Sequence, residues 1–63
     1  MVIKLLHKKT NKVYVLTYDG EGVLDTIQRD GEYIVSTHHV AKSLVTNYEK
    51  ISRGIFPNGF VKV

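Results

Sequence analysis

The chain has 63 residues, nine Lys or Arg against six Asp or Glu, and no cysteine. That length is one domain near the lower limit for a single core, with self-association a real route to extra burial. The composition excludes disulfides, thiolate nucleophiles and zinc–thiolate sites, and no apolar run approaches the ~20 residues that cross a bilayer. The start "MVIKLL" is too short for a secretory leader, and a reducing cytoplasm with no membrane partner is the expected setting.

Taken in chain order, "VIKLLHK" and "KVYVLTY" flank the polar "KTN", so a β-hairpin is expected over 2–18. "DGEG" at 19–22 breaks the second strand. "VLDTIQR" and "EYIVS" are separated by Asp30-Gly31, the preferred pair for a tight type I′ hairpin. Two further antiparallel strands are therefore expected at 23–29 and 32–36. A short helix is the rival at 23–29, because Val23, Leu24 and Ile27 also share helical spacing.

The next stretch is marked as helical. Ser36 suits an N-cap, with Val35 and Val40 placed to form a hydrophobic staple. Val40, Ala41, Leu44, Val45, Tyr48 and Ile51 form one apolar stripe, and Gly54 suits the position after the helix. "PNG" then gives a turn into a last strand at 60–63. The expected fold class is α+β: a small antiparallel sheet of two hairpins, one C-terminal amphipathic helix over about 37–53, and a short final strand. The chain is expected to be one domain, 1–63.

Both faces of the first hairpin carry apolar side chains. Val13 and Val15 lie on one, and Tyr14, Leu16 and Tyr18 lie on the other. A single helix covers only one face. The second must curl toward a barrel, join another subunit to make a homodimer, or take a protein partner.

Charge is segregated along the chain. Residues 1–17 hold Lys4, Lys8, Lys9 and Lys12 and no acid. Residues 18–32 hold Asp19, Glu21, Asp25, Asp30 and Glu32 against Arg29 alone. Residues 33–63 hold Lys42, Lys50, Arg53 and Lys62 against Glu49. Patches, rather than a mixed surface, are the expectation. Lys4, His7, Lys8, Lys9 and Lys12 cluster around one hairpin, where Lys8, Lys9 and Lys12 near its tip could contact phosphates, with Tyr14 or Tyr18 as stacking platforms. Lysines at hairpin turns also serve solubility and edge protection.

Residues 41–55, "AKSLVTNYEKISRGI", resemble the helix-turn-helix of phage Cro-type repressors at Ala41, Lys42, Leu44, Ile51, Arg53 and Ile55. The resemblance implies that Asn47, Tyr48, Ser52 and Arg53 face DNA. Val45 stands where that family has a glycine with positive φ, which weighs toward one continuous helix. At the level of fold alone, a twisted sheet with one C-terminal helix also looks like small archaeal chromatin proteins and SH3-like barrels.

His38-His39 are adjacent on the expected helix and diverge too far to chelate, so no metal or cofactor is expected. Ser36, Thr37 and the histidines lack the cross-chain geometry that a nucleophile needs, and no enzyme activity is expected. The leading expectation is a small non-enzymatic nucleic-acid-associated protein using Lys4, Lys8, Lys9, Lys12, Tyr14, Lys42, Lys50 and Arg53. The alternatives are a protein-binding module or inhibitor of viral type, acting through the apolar hairpin face or acidic residues 19–32, and a homodimeric accessory protein.

Overall fold

The computed structural model describes residues 1–35 and 38–63. Five strands form one antiparallel sheet: β1 (Val2–His7), β2 (Lys12–Tyr18), β3 (Leu24–Arg29), β4 (Glu32–Tyr33) and β5 (Phe60–Lys62). Their spatial order is β4-β3-β2-β1-β5, so β4 and β5 end at opposite edges. The sheet is open. The expected curling into a barrel does not occur, because the last strand joins β1 and never meets β4.

The turns follow from their residues. Asn11 closes the first hairpin at φ 59°, with its N–H donating to the His7 carbonyl at 2.8 Å. Asp30 and Gly31 both have positive φ, as a type I′ turn requires. In the β2–β3 loop, Asp19 Oδ1 accepts from the N–H groups of Glu21 (2.8 Å) and Val23 (3.0 Å). A bulge at Thr17/Tyr18 then sets Leu24 opposite Tyr18. The short helix considered at 23–29 is thus a strand.

In place of one helix over 37–53 there are two, α1 (His39–Thr46) and α2 (Tyr48–Ser52), broken at Asn47. Asn47 has φ −110° and ψ 12°. Its backbone N–H and its side-chain Nδ2 both donate to the Ser43 carbonyl, at 3.1 and 2.7 Å. This is the competition between a short amide side chain and the helical ladder that makes Asn a poor interior residue. Nor is this a helix-turn-helix. Val45 stays helical within α1, and α2 is only five residues long.

α1 starts with His38 as N-cap and without a side-chain capping bond. Ser36, the expected cap, lies outside the described residues, and Val35 is exposed rather than stapled. His38 Nε2 lies 2.9 Å from Arg29 Nη1. A guanidinium can only donate, so Nε2 accepts and ties the start of α1 to β3. The end of α2 follows the sequence. Gly54 has φ 89°, its N–H donates to the Ile51 carbonyl, and Ile55 N–H donates to that of Lys50. Those two bonds are a Schellman cap, which a glycine accommodates without strain.

Both helices cover the same sheet face. Leu5, Tyr14, Leu16, Tyr18, Ile27 and Phe60 pack there against Ala41, Leu44 and Ile51. The helical stripe thus survives the break at Asn47, with Val40 and Tyr48 at its margin. The Tyr18 hydroxyl donates to the Tyr48 carbonyl at 2.7 Å and pins α2 to the central strand. The opposite face carries Val2, Leu6, Val13, Val15 and Val61, none of them in the core.

Candidate nucleic-acid interface

Strand order converts the segregated charge of the chain into a polarised molecule. β5, from the basic C-terminal segment, pairs with β1, from the basic N-terminal segment. The acidic stretch supplies β3, β4 and the loop before them at the other side of the sheet. The ion pair of Lys12 with Asp30 (3.3 Å) is the one such contact among the described residues, and both side chains are about half exposed. An exposed pair of that kind contributes little energy and leaves both patches standing.

The β1–β5 rim has cations at both ends. At one end Lys4 and Lys62 line a cavity of about 500 Å³ with Ser52 and Gly54, the residues on either side of Arg53. At the other, Lys9 lines a recess of about 220 Å³ with His7, His39, Ser43 and Asn58. Lys8 is held beside it by its backbone N–H, which donates to the Gly59 carbonyl at 2.8 Å. Lys4 lies on β1, and Lys8 is the first residue of the turn beyond its end. Every cation on the rim is exposed.

The remaining candidates fall elsewhere. Lys12 points to the turn at Asp30 and is partly neutralised there. Its partner is well defined: Asp30 accepts from the Val13 N–H (3.2 Å) and from Lys12, which together hold its carboxyl below the usual range. Lys42 and Lys50 are exposed on α1 and α2, in the helical layer rather than on the sheet rim.

Tyr14 is no stacking platform. It is 1% exposed, locked edge-on to Phe60 at 5.8 Å and to His7 at 6.0 Å, while His7 stacks on Phe60 at 4.8 Å. Its side chain fell on the face that the helices cover. Tyr18 is 4% exposed, and burial, then the neighbouring Tyr48, push its hydroxyl pKa up. Tyr48, which the repressor resemblance turned toward DNA, is instead packed against the core. Tyr33, 72% exposed on β4, is an open aromatic ring that sequence reasoning missed. Lys62 was missed as well. The sign of its segment's charge was visible, but its place beside β1 depends on strand order.

The chain matches no family model, no curated protein and no solved structure. No helix among the described residues is long and apolar enough to cross a membrane.

Proposed function

We propose that this is a small, non-enzymatic, cytoplasmic protein that associates with nucleic acid through its β1–β5 rim. The observation that carries this reading is the pairing of two basic chain segments at one edge of the sheet, with Lys4, Lys8, Lys9 and Lys62 exposed and in no ion pair among the described residues. Its mechanism is phosphate neutralisation with release of counterions, which gives affinity with modest sequence preference. The helices do not enter a groove as a repressor-like motif would; they contribute only the walls beside the rim cations, through Ser52 of α2 and His39 and Ser43 of α1. Lys42 and Lys50 contribute only to the general field.

Charge reversal tests the assignment. Each phosphate contact is worth roughly a factor of 8 at ~0.1 M salt, so Lys8→Glu with Lys9→Glu costs about 60-fold in affinity for a labelled duplex. Lys42→Glu with Lys50→Glu changes the same net charge and should cost much less. Equal losses from the two pairs would mean that net charge alone attracts the polyanion, and the rim would lose its role.

A second reading is favoured by the uncovered face. Leu6, Val13, Val15 and Val61 form adjacent cross-strand pairs there, around one cation, Lys4. Such a face suits a protein partner or a second copy of the chain. Sedimentation equilibrium on the free protein separates these: a monomer at high concentration leaves the face for another protein.

A further inference from the structure

The opposite rim of the sheet is unfinished. β4 is two residues long and pairs with β3 only at Gln28 and Arg29. Ile34 N–H adds one bond to the Ile27 carbonyl at 3.0 Å. Over Leu24–Thr26, no strand among the described residues pairs with the outer edge of β3. An edge of this kind presents main-chain groups that can template another strand.

A groove of about 420 Å³ runs beside that same stretch. Leu24 and Ile27 from β3, Tyr33 and Ile34 from the end of the second hairpin, and Val45 and Tyr48 from the helices line it. An edge that no strand among the described residues covers, next to an apolar recess, offers the two ingredients of strand addition. The ladder supplies affinity, and the recess receives alternate side chains.

Charge says what the groove accepts. Asp25 lies in the lining, and Asp19, Glu21 and Glu32 belong to the same acidic stretch. None of these four takes part in an ion pair among the described residues. Arg29, the cation of that stretch, is engaged with His38. The local field is therefore negative and repels phosphates and acidic peptides alike.

We propose that the β3 edge over Leu24–Thr26 and its groove form a docking site for an extended segment of a partner protein, one with apolar residues at alternate positions and Lys or Arg between them. Apolar side chains enter the recess beside Val45 and Tyr48, and the cations meet the acidic rim. The site is independent of the nucleic-acid rim on the other side of the sheet.

The test uses the full chain, labelled with ¹⁵N, and three acetylated and amidated hexapeptides as probes. One alternates Lys and Val, one alternates Glu and Val, and one is the Lys–Val peptide with proline at the central valine and at the lysine before it. The Lys–Val peptide is expected to shift the amides of residues 24–27 and 48 saturably and to slow hydrogen exchange along the β3 edge. The proline peptide, missing ladder donors, is expected to bind about ten-fold more weakly or worse. The Glu–Val peptide should give no saturable shift. Val45→Arg, at a partly exposed position, should abolish the shifts while the rest of the spectrum keeps its dispersion. Shifts that map to the valine face or the β1–β5 rim overturn the proposal. So does equal binding of the Lys–Val and Glu–Val peptides, or undiminished binding to a folded Val45→Arg variant.

Discussion

Val15 and Leu16 are neighbours on the central strand and point to opposite faces of the sheet. Leu16 is fully buried between Ile3 and Ile27 and under the helices, whereas Val15 is only half-buried beside Lys4 and Gln28. Leu16→Ala removes core methyls and leaves a cavity that rigid strands cannot close, at a cost of about 3 kcal/mol. Val15→Ala removes two methyl groups from a half-wet surface, at a cost of about 0.8 kcal/mol. A domain of this size has a total stability of roughly 3–9 kcal/mol. At roughly 6 °C per kcal/mol, Leu16→Ala lowers Tm by about 20 °C and Val15→Ala by about 5 °C. Thermal melts followed by circular dichroism at two protein concentrations measure both. Similar losses from the two variants would refute the one-sided core. A Val15→Ala loss that is larger at the higher protein concentration and shrinks on dilution would show that a second copy of the chain covers the valine face.

The remaining predictions concern single contacts. Tyr18→Phe removes the donor to the Tyr48 carbonyl and should cost about 1 kcal/mol in urea denaturation. The folded chain also favours the neutral Tyr18 phenol, since its pKa is raised. That contribution is complete below the ordinary tyrosine pKa and is lost as pH rises through the raised folded value. The wild type should therefore lose stability at alkaline pH more steeply than Tyr18→Phe does. Asp30 behaves in the opposite sense, because its pKa is lowered by the Val13 N–H and then by Lys12. Its contribution is present above the ordinary carboxylate pKa and disappears as pH falls through the lowered one, so Asp30→Asn should flatten the acid limb of the stability profile. Gly54→Ala forces a side chain into φ 89° and should cost about 1–2 kcal/mol. Gly20→Ala, which meets open space without a positive φ, should change stability by less than ~0.5 kcal/mol.

What the sequence made legible was local. The Asp30-Gly31 turn, the Gly54 cap, the last strand (expected at 60–63, found at Phe60–Lys62) and the two-faced hairpin all follow from short-range backbone and side-chain preferences. The break at Asn47 was harder, because apolar spacing from Val40 to Ile51 runs through it unchanged. Only the choice of Asn47 to bond back to Ser43, together with the tie from Tyr18 to Tyr48, divides the helix. The candidate interface was legible as charge and illegible as geometry. Lys4, Lys8 and Lys9 stand out in the first hairpin, but Lys62 joins them only because β5 pairs with β1. Tyr14 shows the limit in the other direction. Alternation separates the two faces of a strand without saying which one the helices will cover, and that assignment decided between a stacking ring and a core ring.

The β1–β5 rim is the surface proposed to meet phosphate. The most direct test is a fluorescence anisotropy titration onto a labelled random duplex at several salt concentrations. With about four contacts, from Lys4, Lys8, Lys9 and Lys62, the logarithm of affinity should fall against the logarithm of salt with a slope of about −3.6. Between ~50 and ~200 mM salt that is a loss of about 150-fold in affinity. Lys62→Gln should bring the slope to about −2.7. A duplex that fails to bind at the lower salt, or a slope that Lys62→Gln leaves untouched, would contradict the assignment of the rim.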